Sequence, residues 1–338
     1  MLVGDVGGFM GISGVTASTI AVSHSVSPYV SIYPFNGGFG AKFSDPATLP
    51  TGDGYAVKFN PAGTLVGVAH NVSPFISVYP WSSGFGTKYS NPATLPTGLG
   101  LDLAFSPSGN DIVVGHQISP RVSAYPWSSG FGTKYSNPAT LPTTQGNGIA
   151  FSPSGDTVAV ADEGGNFQAV YPWSSGFGSK YSDPATLPTG SCKKVTFNPA
   201  GTVIAFAHNI SPYISAYPWS SGFGTKYSNP ATLPAGLAQY VAFSPSGNDI
   251  AVAHTNSPYI TAYPWSSGFG TKYSNPATLP AGNGYAVAFN PAGNVVAITH
   301  IGSPYVSAYP WTSGSGFGTK YSNPATLPAG DGLGITFV

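Results

Sequence analysis

Apolar and polar positions along this chain recur on a short scale and a long one. On the short scale, Tyr55-Ala56-Val57-Lys58-Phe59 alternates with a period of two, the pattern of a half-buried strand. Asn60-Pro61-Ala62-Gly63 then matches a type I turn, with Asn first, Pro second and Gly fourth. Thr64 to His70 is mostly apolar, as suits a strand covered on both faces, and Asn71 to Pro74 predicts a second turn. Phe75 to Trp81 alternates again as far as Pro80, which cannot donate to a ladder and so marks a strand end or bulge. Gly84-Phe85-Gly86 turns the chain, and Thr87-Lys88-Tyr89-Ser90 reads as a short polar outer strand. Pro92 to Gly98 crosses to the next unit. These elements predict four short antiparallel strands and no helix.

On the long scale the whole phrase repeats. The dipeptide Tyr-Pro falls at Tyr33, Tyr79, Tyr125, Tyr171, Tyr217, Tyr263 and Tyr309, at one constant spacing. Trp81 to Pro96 reads WSSGFGTKYSNPATLP, and Trp127 to Pro142 repeats it letter for letter. The last copy alone is longer, reading TSGSGFG from Thr312 to Gly318. Seven such units predict an all-β chain, a seven-bladed β-propeller of four-stranded antiparallel blades filling residues 1–338 as one domain. A β-solenoid would instead need distinct capping repeats at both ends. The tail, Gly332 to Val338, matches only a first strand, with Phe337 standing where Phe289 stands in its own unit. Residues 330–338 are therefore expected to supply the first strand of blade one and to latch the ring. The segment 1–13 competes for that place, since Phe9-Met10-Gly11-Ile12 is also strand-like.

The motif FSPSG occurs at Phe105 to Gly109, Phe151 to Gly155 and Phe243 to Gly247, each followed by an apolar strand and a Tyr-x-Trp strand. This pattern resembles the WD40-type repeat, whose Phe-Ser-Pro-Asp-Gly turn leads into a strand, a turn and a strand ending in Trp. Unit four is the nearest match, running FSPSGDTVAVADEGGNFQAVYPW from Phe151 to Trp173. Trp-Ser replaces the family's Trp-Asp pair, and the Gly-His pair that opens many such repeats is absent. The block WSSGFGTKYSNPATLP is also similar to repeats of predicted structural proteins of tailed bacteriophages. The first resemblance implies a rigid docking platform, and the second implies attachment or assembly on a virion.

Composition narrows the partners. Only 7% of residues are charged and the net charge is zero, with Arg121 the one arginine and Glu163 the one glutamate. Nucleic-acid binding needs a basic stripe, and none exists. Attachment to anionic membranes fails for the same reason. No stretch reaches the ~18 apolar residues of a membrane span. Met1 to Asp5 lacks the basic residues of a secretory signal, so export by the Sec route is not expected. Cys192 is the single cysteine, so no disulfide framework forms.

Repeated side chains supply the candidate sites. His24, His70, His116, His208, His254 and His300 share one repeat position, with Asp162 in unit four. Metal ligands must lie ~2.0–2.2 Å from one ion, whereas copies on separate blades stand apart, so these histidines are expected to close the turn between second and third strands. A second set pairs an aromatic face with amide and ammonium groups: Trp81, Lys88, Tyr89 and Asn91, then Trp127, Lys134, Tyr135 and Asn137. Trp219, Lys226, Tyr227 and Asn229 follow, then Trp265, Lys272, Tyr273 and Asn275. Such groups suit sugar rings, and repetition would add avidity. The competing reading has Trp and Phe filling the space between blades, and the sugar reading fails if the tryptophans are sealed there. Asp162 and Glu163 read as a divergent turn, because sequence neighbours on a strand point apart whereas an acid–base pair must converge. Cys192, beside Lys193 and Lys194, reads as an unreactive strand residue. No nucleophile elbow, phosphate loop or His-Glu-x-x-His motif is present. Near-perfect repetition speaks against the asymmetric constellation that catalysis needs. The expectation is a non-enzymatic scaffold with a protein or glycan partner and no cofactor, displayed on a virion or similar assembly; the alternative is a multivalent lectin.

Overall fold

The computed structural model of the chain describes residues 18–338. They form seven antiparallel sheets, each beginning with one of the alternating segments. The inner strands are Gly54–Phe59, Gly100–Phe105, Gly146–Phe151, Cys192–Phe197, Ala238–Phe243, Gly284–Phe289 and Gly332–Phe337. Each packs against the inner strand on either side, so together they close a ring. The last of them lies between the first and the sixth. It pairs with Ser18–His24, which pairs with Val30–Phe35, so blade one is built from both ends of the chain. The C-terminal latch is thus as the sequence predicts; segment 1–13 lies outside the described residues. Among those residues no helix is long and apolar enough to cross a membrane.

Middle strands such as Leu65–His70 are buried at every position. They have a strand on each edge and a blade on each face, which is why their sequences carry no polar alternation. The fourth strand is much reduced. Blade seven has a two-residue one, Gly316–Phe317, and the other blades keep a single bridge such as Trp81↔Phe85. Proline explains this. Pro80 offers no N–H, so the outer segment is held by Gly86 donating to its carbonyl and Tyr89 donating to Val78, both at 2.9 Å.

The Tyr-Pro ruler has a structural cause. Tyr79 Oη donates to the Thr48 carbonyl at 2.8 Å, stapling the crossover from the preceding unit to its own blade. Five other tyrosines repeat this contact across the same sequence interval. Tyr33 makes the seventh, reaching Thr326 at 2.9 Å across the chain closure. Each of these tyrosine side chains is fully buried, and a hydroxyl left there without an acceptor would be costly, so the crossover carbonyl is held in every unit.

Candidate functional site

Repeated residues prove to be internal. Each histidine is buried at the end of its middle strand, and burial lowers the pKa of His70, for example, to about 4. Its Nε2 meets Ser77 Oγ at 3.0 Å and its Nδ1 meets the Val72 carbonyl at 2.7 Å, so the ring ties the turn to the third strand. His24, His208 and His300 make the same two kinds of contact, while His116 and His254 keep the hydroxyl partner. In blade four Asp162 takes the place, accepting from Thr144 N at 2.9 Å and from Gly164 N at 3.2 Å.

The tryptophans are sealed between blades, with Trp127 only 7% exposed. Trp127 packs edge-on against Phe131 of its own blade at 5.0 Å and Tyr89 of the preceding one at 4.9 Å. Trp81, Trp219 and Trp265 are equally buried, Tyr135 Oη donates to Asp111 Oδ1, and Tyr227 lies against Trp265. Tyr273 is buried and donates to Asp249 at 2.6 Å. The lysines Lys88, Lys226 and Lys272 donate to Asn91, Asn229 and Asn275 at 2.5 Å, and Lys134 donates to Asn137. The condition for the repeated sugar pockets, an open tryptophan face, is not met.

Asymmetry is concentrated on the inner strands. Just past a bulge the seven blades carry Ala56, Asp102, Gly148, Lys194, Tyr240, Ala286 and Gly334. Two residues on they carry Lys58, Ala104, Ala150, Thr196, Ala242, Ala288 and Thr336. Ring closure brings the exceptions together. Lys58 Nζ donates to Tyr240 Oη at 2.5 Å and lies 5.3 Å from the ring centroid, and Lys194 Nζ lies 5.5 Å from the same ring. Lys194 pairs with Asp102 Oδ2 at 3.0 Å and donates to the Asn147 carbonyl at 3.0 Å. Ile149 N donates to the same carboxylate oxygen at 2.9 Å, whereas Asp102 Oδ1 is buried with no partner. Gly148 makes room: a Cβ there would stand 2.8 Å from Lys194 Cα. Burial pulls the Lys58 pKa down, but the Tyr240 oxygen and the Asp102 carboxylate more than offset it, holding the amine protonated.

On the side of the Asn-Pro and Ser-Pro turns the channel widens into an open cavity of about 680 Å³, with Lys58 and Tyr240 in its lining. Unit four contributes elsewhere. Glu163 forms an ion pair with Lys193 of blade five, and Ser191 Oγ donates to the Glu163 carbonyl at 2.8 Å. Burial raises the Glu163 pKa, but the Lys193 ammonium and neighbouring amides outweigh it and hold the carboxyl below its usual range. Cys192 is fully buried, and burial pushes its thiol pKa well up.

No protein family's sequence pattern matches the chain, and no curated protein does. Solved structures do. The periplasmic gluconolactonase PpgL of Pseudomonas aeruginosa superposes with a TM-score of 0.73 at 16% identity, over 96% of this chain and 99% of its own. A candidate 6-phosphogluconolactonase from Bacteroides uniformis gives 0.73 at 14%, over 95% and 99%. A Lactobacillus plantarum protein gives 0.74 at 14%, over 96% and 100%.

At such identities the likeness is one of fold. The expectation of a non-enzymatic scaffold, on a virion or elsewhere, is nevertheless corrected, because the fold matched end to end is one that lactonases use. Its premise also fails. Repetition governs the blade faces, whereas the channel holds single-copy side chains. Sequence reasoning missed Lys58, Asp102, Lys194 and Tyr240, although a column-by-column comparison of the first strands would have isolated them as breaks in the repeat.

Proposed function

We propose that this chain is a lactonase, adding water across the ring ester of a lactone held in the central channel. The observation that carries the reading is the Lys58–Tyr240 pair at the cavity, a lysine and a tyrosine that no other blade carries at the corresponding position. Water attacks the carbonyl carbon, and electrons move onto the carbonyl oxygen. They return as the ring C–O bond breaks, and the proton shed by the attacking water ends on the ring oxygen, giving a hydroxy acid. The developing oxyanion is what needs help. Tyr240 Oη accepts from Lys58, so its own proton is free for the substrate oxygen, with the ammonium beside it. Lys194, beside the tyrosine ring and paired with Asp102, acts as a positioning residue, and Asp102 acts through it. Donors preorganised in this way are worth about 10²–10³ in kcat. The lactonases that share the fold support the same chemistry.

Titration of released acid at constant pH tests the reading, using glucono-δ-lactone and alkyl δ-lactones. Turnover by the wild type should fall about 100-fold in Tyr240→Phe and in Lys58→Ala. Absence of turnover above buffer for every lactone, or variants as active as the wild type, refutes it.

A further inference from the structure

We infer that the cavity's ligand has an apolar alkyl or aryl body and a single carbonyl or carboxylate head, rather than the many hydroxyls of a sugar acid. The inference rests on the lactonase reading of the same cavity and narrows its substrate class.

Walls and head differ in chemistry. The seven phenylalanines that end the inner strands line the cavity, together with the prolines of the six turns that follow them. Polar residues also line it, but most are already engaged. Asn60 Oδ1 accepts from Thr64 N and Leu65 N at 2.8 Å, and its amide donates to Thr64 Oγ1. Asn198 repeats that arrangement in blade five. Ser152 Oγ and Ser244 Oγ accept from the backbone of Thr157 and Asp249, and Thr196 Oγ1 donates to the Phe197 carbonyl. Unspent polar capacity is thus concentrated at Lys58, with three donors and one spent on Tyr240, and at the Tyr240 hydroxyl, with the Thr336 hydroxyl the one other lining side chain not spoken for above. A polyhydroxylated ligand would leave its water and find few partners, losing roughly tenfold or more in affinity for each hydroxyl buried unpaired. An alkyl chain loses nothing there and gains up to about fourfold per methylene removed from water. One acceptor-bearing head meets the donors at Lys58 and Tyr240. Such a ligand uses every feature of the cavity.

Isothermal titration calorimetry on the whole chain at pH 7 tests this with carboxylates as product-like probes: butanoate, hexanoate, octanoate and gluconate. Affinity should rise about two- to fourfold per methylene along the alkyl series, and gluconate should bind at least tenfold more weakly than octanoate. Lys58→Ala should weaken octanoate about tenfold or more. That variant reproduces Ala104, Ala150, Ala242 and Ala288 of other blades, so the ring tolerates it. Gluconate binding as tightly as octanoate, no chain-length dependence, or octanoate indifferent to Lys58→Ala overturns the inference. The two readings fail separately. Octanoate bound as described with no lactone hydrolysed removes the lactonase and keeps the ligand class. Glucono-δ-lactone hydrolysed in preference to δ-decalactone removes the ligand class and keeps the lactonase.

Discussion

Replacing Asp102 by alanine removes the charged partner of a largely buried ammonium. Lys194 is 13% exposed at its side chain, and Asp102 is 2% exposed. Breaking a buried pair from one side costs about 3–5 kcal/mol, chiefly because a charge is left uncompensated. Here the lower end applies, since Lys194 keeps the Asn147 carbonyl and the face of Tyr240. Lys194→Ala should cost about as much, since it strands a carboxylate whose Oδ1 already lacks a partner. The double variant should be more stable than either single one, because Ala56 and Ala286 occupy the same position in blades two and seven. Replacing a whole buried pair by well-packed apolar residues is often neutral or favourable. Calorimetric melts of the four proteins check the order; the ranking decides, so no two-state assumption is needed. If the two losses add in the double variant, the pair is not coupled and the account of the channel centre is wrong.

Three further outcomes follow from packing and titration. Five histidines, His24, His70, His116, His208 and His254, have folded pKa values lowered from 6.5 to about 4. Between those values the unfolded chain binds more protons, so stability is lost as pH falls through that window, by up to about 1.4 kcal/mol per pH unit for each histidine; melting points that stay level from pH 7 to pH 4.5 would contradict this. Asp249→Val should cost about 2–4 kcal/mol, because Tyr273 Oη and Trp311 Nε1 both donate to that buried carboxylate, the latter at 3.2 Å. Asp249→Val combined with Tyr273→Phe should recover part of the loss in urea denaturation, and no recovery would count against the bridge. Cys192 should react with a thiol reagent only as fast as the ring opens, since it is buried and its pKa is raised; rapid stoichiometric labelling of the native protein would show that blade five is looser than its packing implies.

Blade architecture was legible in the sequence because every rule it uses is local. Alternation in Tyr55–Phe59, the Asn-Pro-Ala-Gly turn and the apolar run Leu65–His70 each depend on neighbours a few residues away. Constant Tyr-Pro spacing multiplied that reading by seven, and the unmatched strand Gly332–Phe337 pointed to closure by the tail. The weak fourth strand was written in Pro80, the missing donor, although the sequence reading gave Thr87–Ser90 a strand of its own.

What tertiary structure alone decided was which residues meet across the ring. Position in the sequence becomes angle around an axis, so contact depends on radius. At the large radius, blades touch only their neighbours, which is how Trp127 comes to lie between Tyr89 and Phe131, sealed from any sugar. At the small radius, inner strands from distant blades face one shared space, and Lys58 meets Tyr240 across 182 positions of chain. No local pattern encodes that encounter. It exists because seven sheets of nearly equal width close on an axis narrow enough for two side chains to span.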